Sequence, residues 1–369
     1  MRKILMTGVA ALAAALMLAP VSARTQEAPA LAKANAAEKE RLKGLIAGAL
    51  KEGQVSYIDT MISPVTHDQL SAAFRKYYGL PAGFKVGHMY NGPSPVITRL
   101  QQELNAGRLT FDVGAVASPG WVTAQYKAGH FMKYDSPEYA NYQKSIDKQM
   151  GIKGSFVLNC AYTFSPGWNS EYLKFDGTSY KDVLDLVAKI PEGRTSTSDT
   201  EYADSTLMVY IGMRKVLGVD YFEKLAKLKP SFYSKAEQGL TRLSTGEDLL
   251  SLVSSTSRTM MFNQKGATLR FMEPKEGFVM LPQFMFIFDK APNPNAAKLW
   301  FDFVLSDEGQ KIFVKSELVN SGRSNFETPV KEAPGLDEVK QIGLDYLSFT
   351  DEDFKTARAE WVRIFKQKR

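Results

Sequence analysis

Four hydroxyls and a guanidinium follow one another in Ser254, Ser255, Thr256, Ser257 and Arg258, directly after the apolar run in DLLSLVSS. Arginine presents a planar fork of donors suited to carboxylate or phosphate oxygens. The spacing predicts a strand over DLLSLVSS that ends near Ser255, so Thr256, Ser257 and Arg258 fall at its carboxyl end. Open parallel sheets hold their ligands just outside such ends. A polar loop facing solvent would have the same composition, so the stretch reads either way on its own.

Other candidates sit at comparable positions. Ser94 precedes Pro95 after the strand-like FKVGHMY, which predicts Ser94 as an N-cap with Pro95 at the first helical position. There its hydroxyl and nearby N–H groups either face an anion or simply close the helix end. Thr197, Ser198 and Asp199 precede a helix predicted over 201–217; Asp199 offers a carboxylate to a cationic ligand group or serves the helix dipole. Thr60 follows QVSYID and Ser118 follows FDVGAVA, where two more strands end. Tyr233 precedes a capping box, Ser234-x-x-Glu237, and either lines a cleft or packs beside it. Trp121 and Trp168 suit ligand stacking or core packing.

Catalysis finds little to work with. Ser118 or Ser257 would have to act as nucleophile in a secreted hydrolase, but Ser118 is followed by Pro119-Gly120 without the Gly-x-Ser-x-Gly elbow. His67, His88 and His130 are widely spaced, lack an evident triad partner and show no metal-ligand pattern, so neither enzyme activity, cofactor nor metal is expected. Cys160 is the only cysteine, which leaves no disulfide framework and no lipid-attachable residue near the N-terminus.

The elements that must position these groups alternate. EKERLKGLIAGALKEG reads as a helix stopped by Gly53, QVSYID as a strand, HDQLSAAFRKYYG as a helix, FKVGHMY as a strand, SPVITRLQQELNAG as a helix and FDVGAVAS as a buried strand. That order argues for an α/β lobe, and a second begins after SFVLNCAYTF. Residues 26–37 read as a loose leader. Before them, residues 1–23 combine Arg2 and Lys3, an apolar stretch from Ile4 to Ala19 and Val21-Ser22-Ala23, the pattern of a cleaved secretory signal. FVMLPQFMFIF, interrupted by Pro282 and Gln283, suits a buried strand rather than a membrane span. Of 369 residues, 44% are hydrophobic and 23% charged, as in ordinary globular chains large enough for two domains. The net charge of +6, two of it in the secretory signal at 1–23, comes without polybasic runs; this disfavours nucleic acid and mildly favours anionic ligands.

The segment APNPNAAKLWFDFVLSDEGQKIF closely resembles the signature of bacterial extracellular solute-binding proteins of ABC transporters. The resemblance is to the type II branch that handles ferric iron, thiamine, polyamines, phosphonates and sugar phosphates. KEGQVSYID, TRLQQELNAGRLTFDVGAVAS, KAGHFMKYDSPEYANY, WNSEYLKFDGTSYKDVLDLVAKIPEGRTSTSD and STGEDLLSL agree with it in order, over most of the mature chain. It implies two Rossmann-like α/β lobes with a hinge and an interlobe cleft, the first lobe being 24–160 plus 285–369 and the second 161–284. The crossings would fall in SFVLNCAYTF and LPQFMFIF. It further implies a periplasmic monomer that captures a small solute by cleft closure and delivers it to permease subunits in the inner membrane.

Ferric-binding relatives carry adjacent tyrosines where this chain has Thr256, Ser257 and Arg258, and the Tyr77-Tyr78 pair in AFRKYYG does not replace them. The departure favours a small anion, a phosphonate, phosphate ester or carboxylate. Ferric iron on dispersed tyrosines with a synergistic anion is the alternative. The expected ligand set is Thr60, Ser94, Ser118, Ser198, Asp199, Tyr233, Ser255, Thr256, Ser257 and Arg258.

Overall fold

The computed structural model describes residues 27–200 and 204–367; the expected leader at 1–23 and the start of the expected 201–217 helix lie outside the described residues. Helix α1 (Pro29–Lys33) and helix α2 (Ala36–Glu52) occupy much of the stretch read as a loose leader, since its alanines favour helix. Asn35 caps α2 by accepting from Glu38 N, and Gly53 ends it at φ 72°, a left-handed conformation that glycine adopts without a Cβ penalty.

Strands β1 (Gln54–Asp59), β2 (Lys85–Tyr90) and β3 (Val113–Val116) are parallel, with helices α3 (Pro64–Tyr78) and α4 (Pro93–Asn105) as crossovers. Leu70 and Phe74 of α3 are buried as their spacing predicts. Helix α4 starts earlier than expected. Gly92 is its N-cap and Pro93 its first residue, because proline has no N–H to lose there, and Ser94 is left inside the first turn, exposed.

Helices α5 (Pro119–Lys127) and α6 (Gln143–Asp147) and strand β4 (Gly151–Ile152) lead to strand β5 (Phe156–Asn169). The rest of the chain comprises α7 (Tyr180–Val187), β6 (Thr195–Ser198), α8 (Asp204–Leu217), α9 (Val219–Lys227), β7 (Ser231–Tyr233), α10 (Ala236–Ser244), β8 (Leu250–Ser255), α11 (Thr256–Gln264), β9 (Leu269–Phe271), β10 (Val279–Ile287), α12 (Pro294–Leu305), α13 (Asp307–Glu317), β11 (Asn320–Ser321) and α14 (Asp351–Phe365). One sheet runs β2-β1-β3-β10-β5-β8-β6-β7, with β4, β9 and β11 also pairing with β5. The hydroxyl-rich TSTS is strand β6, paired between β7 and β8.

Strand β5 carries the architecture. Its first half pairs with β10, while its end pairs with β8 and β9. Phe156 to Ala161 contribute to one apolar core and Trp168 to a second; on the return, Val279 belongs to the second core and Met280 to the first. This is an α/β fold of two lobes bridged by crossing strands. Pro282 is accommodated inside β10 beside a register shift at Gln283/Phe284, where the ladder is already irregular.

The expected division placed the whole C-terminal region with the first lobe. Helices α12 and α13 do pack there, but α14 lies on α8 and α9 of the second lobe. Trp361, Ile364 and Phe365 are buried in the second core, with the Trp361 ring 5.4 Å from Phe232. The chain therefore crosses a third time between Glu317 and Asp351, pinned where Ile342 N donates to Phe278 O and Tyr346 Oη to Met280 O. No helix among the described residues is long and apolar enough to cross a membrane.

Candidate functional site

Strand direction decides which ends meet. β1, β2 and β3 point their carboxyl ends toward the second lobe, and β8, antiparallel to β5, points its own toward the first. Ser255 is the last residue of β8 and lies opposite Phe164 of the crossing strand. The expected polar loop after it is instead the first turn of α11. Ser255 Oγ accepts from Arg258 N at 3.5 Å and pairs with Ser257 Oγ at 3.0 Å. The sequence Ser-Thr-Ser-Arg permits this because a serine N-cap can take an orphan amide of the first turn.

This turn meets the crossing strand and the first lobe's return. Thr256 Oγ1 lies 2.6 Å from Thr163 Oγ1, which also donates to Asn320 Oδ1 at 3.2 Å. Beside them is a cavity of ≈ 430 Å³, a size suited to a small metabolite, lined by Thr163, Thr256 and Asn320 together with the cations Lys331 and Lys340 and the carboxylates Glu273, Glu332 and Glu338. The Arg258 guanidinium is half-buried. It reaches Tyr162 Oη at 3.4 Å and Met261 Sδ at 3.3 Å, and has no ion-pair partner among the described residues. The Tyr162 phenol beside it, with Tyr90 and Glu317 of the first lobe, raises its pKa against the opposing effect of burial, so it stays charged. Burial pushes the Tyr162 phenol well above its ordinary value, an effect that Arg258 partly offsets.

The remaining expected residues divide. Ser118 is half-buried at the N-cap of α5 and its hydroxyl makes no capping bond. Ser198 pairs with Thr206 Oγ1 at 2.7 Å at the end of β6. Thr60 is buried within the first lobe, its amide donating to Ala115 O and its Oγ1 accepting from Ala117 N, so its hydroxyl holds β1 to β3. Asp199 accepts from Lys366 Nζ at 2.8 Å, an ion pair to the C-terminal helix rather than to a ligand cation. Tyr233 points under its own lobe: Oη donates to Val253 O at 2.5 Å, the ring packs against Gly239, and burial pushes its pKa up to about 12. The Ser234 capping box does not form, because α10 begins one residue later with Lys235 as N-cap. Ser94 is exposed in the first turn of α4. Trp121 and Trp168 are both buried, in the first and second cores respectively.

Sequence reading missed Tyr90, Tyr162, Thr163, Glu317 and Asn320. No spacing marks them, since topology alone brings them beside α11. Among the described residues, no group of three or more His, Cys, Asp or Glu side chains is placed to hold a metal.

The profile of the family described as bacterial extracellular solute-binding protein matches residues 69–334, most of the chain. The chain belongs to that family. Solved structures of similar fold include the periplasmic binding protein AfuA from Actinobacillus pleuropneumoniae with fructose-6-phosphate bound, at TM-score 0.69 and 18% identity over 85% of this chain and 99% of that one. An ABC-transporter substrate-binding protein from Agrobacterium tumefaciens gives TM-score 0.69 and 14% identity over 85% and 94% of the two chains. Iron-bound HitA from Pseudomonas aeruginosa gives 0.64 and 17% over 84% and 99%. No curated protein matches the sequence. The family's description implies a small solute as ligand and an extracellular location.

Proposed function

We propose that this solute-binding protein captures a small anion, a phosphonate, phosphate ester or carboxylate, between its lobes and delivers it to an inner-membrane permease without chemical change. The observation that carries this reading is Arg258: a guanidinium without an ion-pair partner among the described residues, in the first turn of α11, where the strand end of one lobe faces the other. First-turn amides lack partners within a helix and carry the positive end of its dipole, so Arg258 and the α11 N-terminus favour the same charge. Ser255, Thr256 and Ser257 supply hydroxyls to the same turn, and Ser118 supplies one from the first lobe. A ligand touching both lobes stabilises their closed arrangement over the open one by its differential affinity, and so creates the surface that a transporter reads. We assign residues 24–160 and the α12–α13 region to the first lobe, 161–279 with α14 to the second, residues 1–23 to a cleaved export signal, and a monomeric state.

A thermal-shift screen over phosphonates, phosphate esters, carboxylates, amines, thiamine and ferric salts tests the reading. Ligand at about 100 times its Kd adds roughly 2.7 kcal/mol to stability. Stabilisation by anions and weakening of their binding by roughly 1.5–3 kcal/mol in a folded Arg258→Ala protein are expected. Unchanged anion affinity in that variant excludes Arg258. Stabilisation by ferric salt alone, with a coloured tyrosinate complex, replaces the anion reading with the iron one, and turnover of a bound compound removes the transport reading.

A further inference from the structure

We propose that Glu317 is a specificity-determining residue which, from the lobe opposite Arg258, accepts a hydrogen bond from an ammonium or hydroxyl group carried by the captured anion. The inference rests on the anion reading above and narrows it to anions that bring a donor of their own.

Glu317 ends α13 and is 1% exposed. Its two oxygens differ. Oε1 accepts from Ser63 N at 2.7 Å and Thr66 Oγ1 at 2.5 Å, closing the start of α3. Oε2 is equally buried and has no hydrogen-bond partner among the described residues. A buried carboxylate oxygen without a donor is costly, and the structural task of this side chain is already done by the other oxygen.

The surroundings place Glu317 at the seam between lobes. Val314 and Leu318, which flank Glu317 on the α13 side, share one apolar cluster with Met260 and Met261, which follow Arg258 on α11. Tyr162 on the crossing strand feels the charges of both Arg258 and Glu317, and Arg258 in turn feels Glu317. Three residues on, Asn320 pairs with Ala161 of the same strand and accepts from Thr163, the partner of Thr256. A guanidinium lacking an ion-pair partner and a carboxylate oxygen lacking a donor thus approach one stretch of β5 from opposite lobes. A bare anion there gains Arg258 but meets the charge of Glu317. An anion that also carries an ammonium or hydroxyl satisfies both, so Glu317 selects by repulsion as well as attraction.

Calorimetric titration of two matched pairs tests this: ethylphosphonate against 2-aminoethylphosphonate for an ammonium, and propyl phosphate against glycerol 3-phosphate for a hydroxyl. Glu317→Gln keeps an Oε1 acceptor for Ser63 and Thr66 while removing the charge and the free acceptor. The wild-type protein is expected to prefer the donor-bearing member of at least one pair by about tenfold or more, the scale of a charged hydrogen bond. Glu317→Gln is expected to erase that preference while leaving the donor-free member as tight or tighter. The pair that shows the preference identifies the donor. Equal wild-type affinities within both pairs overturn the inference, as does a Glu317→Gln protein that loses both members of a pair equally. In either case Arg258-dependent binding of these compounds leaves the anion reading standing, whereas no binding of any of them to the wild-type protein overturns the inference and removes phosphonates and phosphate esters from that reading.

Discussion

Two imidazoles in the first lobe show how a residue's surroundings set its chemistry. His67 and His88 stack with ring centroids 4.1 Å apart and planes 9° from parallel, and Tyr57 stacks on the far face of His88. Burial first, and then the His88 ring, lower the His67 pKa to about 4; its Nε2 hydrogen-bonds with Val86 O and Ser71 Oγ, Asp68 pulls its pKa the other way and Arg75 adds to the lowering. A histidine held neutral in the fold stabilises it fully above its unfolded pKa, near 6.5, and loses that contribution as pH falls from there toward 4. Asp302 works in the opposite sense. Burial raises its pKa to about 6 against the pull of Arg41, so its contribution grows as pH drops through 6. Urea midpoints measured between pH 7 and pH 4 should therefore fall less steeply in His67→Phe than in the wild-type protein, since the variant has only the Asp302 term and the remaining carboxylates. Parallel curves would show that His67 does not change its proton affinity on folding.

At the scale of elements, the site depends on how β5 lies against β8. Gly167 sits at a register shift in β5, and a Cβ there would come within 2.6 Å of Ser254 Oγ and 2.9 Å of its Cβ. Gly167→Ala should cost about 1–3 kcal/mol by overpacking. Because Ser254 precedes the N-cap of α11, the same change should weaken anion binding, which calorimetry on the folded variant would register; full stability and affinity would mean the strands separate freely. The elements themselves were largely legible. Gly53, the Leu70 and Phe74 spacing, the buried FDVGAV and the end of β8 at Ser255 all follow local rules that tertiary packing does not contradict. What failed were positions where two local rules competed: Pro93 rather than Pro95 opens α4, and Lys235 rather than Ser234 caps α10. Of the candidate site, the end of β8 at Ser255 was readable because one strand makes it, whereas the helix that begins at Thr256 was not read. Tyr162, Glu317 and Asn320 were not readable, because they reach the site from a crossing strand and a return segment that no periodicity links to α11.

The whole molecule is held by three passages between lobes, two as strands and one through the segment before α14. Helix α14 anchors the third passage: Trp361 is 3% exposed, and Phe365 lies 4.9 Å from it against Phe222 and Phe232. Truncating Trp361 to alanine should destabilise the protein by about 3–5 kcal/mol in urea, the range for large buried aromatics. A loss under about 1 kcal/mol would show that α14 rests on the second lobe without belonging to its core. Among the described residues, two of these passages, β5 and β10, pair side by side along their length. A crystal structure of the protein loaded with the tightest anion from the screen tests the central claim most directly. The account predicts anion oxygens within hydrogen-bonding distance of the Arg258 guanidinium and of the first-turn amides of α11, with both lobes in contact. An anion bound elsewhere, or a metal ion on tyrosine phenolates in that place, would contradict it.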